Sequence, residues 1–227
     1  MKTHIDKIGL LQLFLWTAVR LLLLELIVRN IISGSPLQGV LAAGLNLAGT
    51  FVWDVFQLLP ERCYLRRISP VVQSLADIMI FCACYGGQFK GLYSTVWFDS
   101  ILHLIAGALI FLCGVSVIKT ALDAKGESAP ARLILLGAAG ISALCGIGWE
   151  LFEFTVDCLF DGSNTQHWQY IESELWLLPM KSRERFALMD TMGDIICNSI
   201  GLAAGAAGIK LIGLCGKKNK NKENEYV

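Results

Sequence analysis

Residues 131–160, ARLILLGAAGISALCGIGWELFEFTVDCLF, decide how this chain folds. They carry no charge between Arg132 and Glu150, and the run exceeds the roughly 20 apolar residues that a helix needs to cross about 30 Å of hydrocarbon. Its far end is as informative as its length. Glu150, Glu153 and Asp157 follow one another at i, i+3 and i+7, a single stripe of one helix. A segment that suits lipid along most of its length and is acidic along one stripe reads as a spanning helix whose acids look inward, into other protein.

Five more stretches meet the same length, so that the spans run approximately over 8–30, 37–59, 69–88, 98–120, 131–160 and 187–214. The fold class predicted is all-α: a polytopic transmembrane helical bundle of about six spans, one domain over residues 1–216 with a charged cytoplasmic tail at 217–227. Composition agrees, since 55% of the 227 residues are hydrophobic, 17% are charged and the mean hydropathy is +0.57. The first stretch is interrupted by Arg20 and Glu25 and no small-residue cleavage site follows it, so it reads as a retained span rather than a signal peptide. Turn chemistry separates the spans at Ser33 to Pro36, at Pro60, at Gly86-Gly87, at Asp123 to Pro130 and across 161–185. A net charge of zero offers no basic surface for nucleic acid. The eight cysteines lack CxxC spacing and read as small apolar packing residues.

Orientation follows from Lys and Arg, which favour cytoplasmic loops. With the N-terminus inside, the cytoplasmic segments hold Lys2, Lys7, Arg62, Arg66, Arg67, Lys119, Lys125, Arg132, Lys210, Lys217, Lys218, Lys220 and Lys222. The other side holds only Arg29, Lys90, Lys181, Arg183 and Arg185. Six spans then place the chain in the cytoplasmic membrane with both termini cytoplasmic.

In that topology the acids converge. Asp99 and His103 share a face at i, i+4 near the outer end of the fourth span, Glu150, Glu153 and Asp157 lie near the outer end of the fifth, and Asp190, Asp194 and Asn198 open the sixth at i, i+4, i+8. An Asp at the centre of a span is disfavoured by roughly 2.5 to 3.5 kcal/mol, less toward the interface. Six acids together therefore rival the roughly 5 to 15 kcal/mol by which a typical fold is stable, and something must compensate them. Carboxylates, an amide oxygen and an imidazole suit a divalent ion such as Mg, Mn, Zn or Fe, for which the ligands expected are Glu150, Glu153, Asp157, Asp190, Asp194 and Asn198. His103, Asp99 and Glu153 are the expected catalytic groups. Arg20, Arg29 and Gln166 are expected to compensate charge or to meet the substrate. A hydrogen-bonded cluster that fixes helix register is the alternative reading. Gly201 and Gly205, a GxxxG pair below the acids, predict close backbone approach. The 161–185 stretch brings His167, Trp168, Trp176 and the amphipathic 170–178 segment to the interface, as anchor or as lid. Asp54, near the cytoplasmic end beside Arg62, is expected to face water, while Glu25 and Asp77 are further intramembrane acids.

The ordered set Trp97-Phe98-Asp99 with His103, Gly148-Trp149-Glu150-Leu151-Phe152-Glu153 with Asp157, and Asp190-Thr191-Met192-Gly193-Asp194 with Asn198 and Gly201 resembles the bacterial membrane-protein family typified by YjdF. It is similar, more distantly, to the VanZ-like proteins associated with teicoplanin resistance. The resemblance covers residues 95–210, and the fifth span carries two carboxylates beyond the VanZ pattern. It implies a bacterial cell-envelope protein acting at the outer face. Three functions fit: a metal-assisted hydrolase or transferase on an outer-leaflet lipid or lipid-linked precursor, a proton- or cation-coupled transporter, and a non-catalytic envelope factor of VanZ type that binds a lipid or a partner.

Overall fold

A computed structural model describes residues 8–34, 37–61, 63–95, 97–160, 165–166 and 183–223. The described residues are almost entirely helical, and no strand occurs among them. Helix α1 spans Leu10–Ile32, α2 Leu37–Gly49, α3 Val52–Leu58, α4 Pro70–Phe81, α5 Phe98–Lys125, α6 Ala131–Leu159 and α7 Arg183–Glu223. Among the described residues five helical segments are long and apolar enough to cross a membrane, and α2 with α3, bent by 47° at their junction, makes a sixth if the pair is one broken span. Only 22% to 33% of each straight span is buried within the protein, so the rest of its apolar surface must meet lipid.

The helix ends follow local chemistry. Ser69 caps α4 by accepting from the Val71 amide, and Pro70 occupies the first turn, where its missing N–H costs nothing. Gly126 ends α5 at φ +68°, a left-handed conformation that glycine adopts without strain, so α5 runs five residues beyond the predicted 120. Beyond Phe81, α4 loosens into a π-helical stretch, Cys82–Phe89, which carries the Gly86-Gly87 pair. Helix α7 continues through Glu223, so most of the predicted tail prolongs the last helix.

The bend between α2 and α3 was not expected, because no proline marks it. The backbone groups it releases are satisfied by side chains, as the apolar surroundings demand. Arg20 donates to the Thr50 carbonyl at 2.5 Å, while Gln73 donates to the Gly49 carbonyl at 3.1 Å and accepts from the Trp53 amide at 2.9 Å. Arg20 also pairs with Asp54, and its guanidinium lies 3.9 Å from the Phe51 ring centroid. Asp54 is thus bound by an intramembrane arginine instead of simply facing water, and Arg20 is engaged here. Gln73 donates its other amide hydrogen to Asp77, which is fully buried.

Two apolar cores result. One joins α1, α2 and the π-helical stretch after α4 through Val19, Leu23, Leu26, Ala43 and Cys84, and the other joins α5 and α6 through Phe111, Val115 and Ala138, with Leu202 and Ala206 of α7 packed against it. In the second, glycine lets backbones touch. A Cβ at Gly107 of α5 would overlap the Asn198 carbonyl of α7, and one at Gly201 of α7 would overlap the Leu104 carbonyl of α5. Gly201 and Gly205 therefore both face α5, as the GxxxG spacing predicts.

Gly107→Ala or Gly201→Ala should destabilise by about 1 to 3 kcal/mol, because overpacking must push the paired backbones apart. Gly140→Ala, on α6 with nothing within 4 Å, should be neutral or raise stability by up to about 1 kcal/mol. Thermal melting in detergent, followed by helical circular dichroism, checks the contrast.

Candidate functional site

The reciprocal glycine contacts fix the register in which α5 meets α7, and antiparallel α6 brings its C-terminal turns to the same end. Asp99 and His103 lie in the first turns of α5, Glu150 and Glu153 near the end of α6, and Asp190 and Asp194 near the start of α7. Asp99, His103, Glu150, Glu153 and Asp194 are all buried. Nε2 of the His103 imidazole stands 3.8 Å from Asp99 Oδ1, and Nδ1 stands 3.7 Å from Glu150 Oε1. Both distances exceed a hydrogen bond, so the ring separates two carboxylates without being locked to either by these contacts. One ligand atom each from Asp99, His103 and Asp194 lies within 4.8 Å of the others, a group that could hold one divalent ion.

The remaining acids crowd the same volume. Glu150 acts electrostatically on Asp99 and Asp190, Glu153 on Asp99, Glu150 and Asp190, and Asp194 on Asp99, Asp190 and Glu150. Glu153 accepts from the Trp149 indole at 2.7 Å, one helical turn back. Thr191 approaches Glu150 without closing a hydrogen bond of normal geometry. The buried oxygens left without a hydrogen-bond partner include both of Glu150, Oε2 of Glu153 and Oδ2 of Asp194. Bare carboxylate oxygens away from water are costly unless a proton or cation meets them.

Four further residues expected at the site have partners of their own. Asp157 accepts from the Thr165 amide at 2.9 Å, the Thr165 hydroxyl at 2.6 Å and the Gln166 amide at 2.9 Å, which ties the chain beyond α6 back onto that helix. Gln166 extends this tie across to α7 by donating to the Thr191 hydroxyl at 2.9 Å. Asn198 sits one turn below Asp194 and packs its amide against Gly146 of α6, with the Ser142 carbonyl at 3.5 Å. It serves as a link between helices. Arg29 pairs with Glu25 within α1, at 2.6 Å. His167, Trp168, Trp176 and the 170–178 segment lie outside the described residues.

Sequence reasoning missed Tyr93. It lies in a short 3-10 turn, Leu92–Ser94, between the third and fourth spans. Its ring occupies the space that a Cβ at Gly87 would need and meets Phe98 edge-on at 5.4 Å. Burial above all, then the charges of Asp99 and Glu153, push its phenol well above the usual range, which keeps it a proton donor beside the acids. The only signal in the sequence was the Gly86-Gly87 pair, which reads as a turn.

A family model described as "Predicted membrane protein (DUF2238)" matches residues 14–212, and the YjdF-type proteins are this family. No match was found among the curated proteins or among the solved structures.

Because the folded value for Tyr93 is raised, its contribution to stability should be intact below the unfolded value of about 10 and fade as pH rises beyond it. Melting temperatures recorded on both sides of that pH should fall on the alkaline side for the wild type and fall less for Tyr93→Phe.

Proposed function

Since the chain belongs to the DUF2238 family of predicted membrane proteins, we propose that it is a multi-pass protein of the cytoplasmic membrane, its termini cytoplasmic, whose acid and histidine cluster holds a divalent metal at the outer face. There it hydrolyses, or transfers a group from, a lipid-linked substrate of the outer leaflet. The observation that carries this reading is the set of buried carboxylates around His103 whose oxygens lack hydrogen bonds. A register-fixing network would have satisfied them, as the bend near Arg20 satisfies its own backbone groups.

A bound divalent ion would polarise a phosphoryl or carbonyl oxygen and make its water acidic. Asp99, His103 and Asp194 would hold it. Glu153, steadied by Trp149, would accept a proton. The exposed apolar faces of the spans keep this chemistry beside lipid.

Protein purified in detergent and washed exhaustively should retain divalent metal, and Asp99→Asn/Asp194→Asn should lose most of it. His103→Gln should slow release of phosphate from lipid phosphates by about 10² to 10⁴. Absence of metal from a well-folded wild type rejects the reading. Metal without turnover on any lipid phosphate is what a non-catalytic binding factor would give.

One observation favours a second reading. Asp77, fully buried beside the broken second span, leaves Oδ2 without a hydrogen-bond partner, and discontinuous helices with buried acids are how many transporters bind ions. Proteoliposomes should then show solute flux driven by a proton or cation gradient and abolished in Asp77→Asn; flux indifferent to every gradient excludes it.

A further inference from the structure

Glu150 is a buried carboxylate without a task. It is 5% exposed, and neither of its oxygens has a hydrogen-bond partner. Asp157, two turns further along the same stripe of α6, shows the contrast, since its carboxylate accepts three hydrogen bonds from residues 165 and 166. Sequence spacing casts Glu150 as a metal ligand. Among the described residues, however, the ligand atoms that gather within 4.8 Å of one another come from Asp99, His103 and Asp194. What Glu150 meets is the ring of His103, with Oε1 3.7 Å from Nδ1.

The fold brings these two side chains together from different helices. Ser142 of α6 donates to the Gly107 carbonyl of α5 at 3.0 Å, which pins the antiparallel pair one turn from His103 and two turns from Glu150. Side chains on a helix lean toward its N-terminus. Glu150 therefore leans back along α6 and His103 leans back along α5, so that the two approach each other across the interface. The imidazole stands between two carboxylates, with Nε2 facing Asp99 Oδ1 at 3.8 Å and Nδ1 facing Glu150 Oε1. Asp99 is itself one of the three grouped ligands. Nε2 is thus the nitrogen on the ligand side of the ring, and Nδ1 is the one turned toward α6.

We infer that Glu150 is the positioning residue of the cluster: its carboxylate accepts the Nδ1–H of His103 and so leaves Nε2 to hold the divalent ion with Asp99 and Asp194. This rests on the metal reading above and deepens it. A neutral imidazole carries one proton, and the hydrogen bond made at one nitrogen decides which nitrogen is left for a metal. A carboxylate in this place fixes the ring's orientation and raises its basicity toward the ion. The separation of 3.7 Å is longer than a hydrogen bond. A cation on Nε2 withdraws electrons from the ring and makes Nδ1–H a stronger donor, so the contact tightens into a charge-assisted hydrogen bond when the site is filled. Glu150 itself does not touch the ion. Its role is to give one bare oxygen a partner and the ring a single tautomer.

The chain carries three histidines, His4, His103 and His167, so the ring of interest can be singled out by its absence from His103→Gln. The test uses the full chain in detergent, labelled with ¹⁵N-histidine and loaded with Zn²⁺ alone. Nuclear magnetic resonance of the ring nitrogens should place Zn²⁺ on Nε2 of His103 and a proton on Nδ1 that exchanges slowly with water. Glu150→Gln should bind Zn²⁺ about 10- to 100-fold more weakly and exchange its Nδ1 proton faster, while its helical circular dichroism matches the wild type. Zn²⁺ on Nδ1 overturns the inference and leaves the metal reading in place, and so does an affinity and an exchange rate that Glu150→Gln leaves unaltered. A folded wild type that binds no Zn²⁺ removes both. The nitrogen that holds Zn²⁺ in the wild type tests the assignment even if the variant fails to fold.

Discussion

The backbone contact between α5 and α7 is the constraint on which the rest of the site depends. Gly107 receives the Asn198 carbonyl and Gly201 receives the Leu104 carbonyl, so each helix supplies the notch for the other. Helix association in lipid lacks the hydrophobic drive available in water and relies on such close packing. The two notches fix both the separation and the axial register of the pair. With the register fixed, Asp99 and His103 stand opposite Asp194. Asn198 extends the same constraint to α6 by filling the space over Gly146.

The two polar regions of the bundle answer the absence of water in different ways. Near the bend of the second span, Arg20, Gln73 and Thr50 satisfy the freed carbonyls and one another, and Arg20 meets Asp54. That network is largely self-sufficient, with Oδ2 of Asp77 as its exception. The cluster around His103 is the reverse. Its acids are crowded together, and several of their buried oxygens, both of Glu150 among them, have no hydrogen-bond partner. Polar groups that a fold buries and does not satisfy make that place a candidate site for an external ligand.

Much of this site was legible before any coordinates. Stripes at i, i+4 on 98–120, at i, i+3 on 131–160 and at i, i+4 on 187–214 led to Asp99, His103, Glu150, Glu153, Asp190 and Asp194, and the structure brings these six together. Asp157 and Asn198 continue the same stripes, yet their hydrogen-bond partners lie in residues 165–166 and in α6, which helical spacing cannot reveal. Tyr93 was invisible because its place depends on the emptiness over Gly87. The bend after Gly49 was invisible for a related reason: the residues that stabilise it, Arg20 and Gln73, lie on other spans.

By itself the sequence determined the fold class, the number of spans to within one bent pair and the stripe on which each acid sits. Hydrocarbon thickness and the 3.6-residue repeat act locally and leave a local trace. Only the tertiary structure decided which acids are satisfied and which are bare, because that depends on what the neighbouring helices place opposite each carboxylate. Asp157 and Glu150 occupy two positions on one stripe of one helix. The first meets residues 165 and 166, the second meets an imidazole edge and other acids.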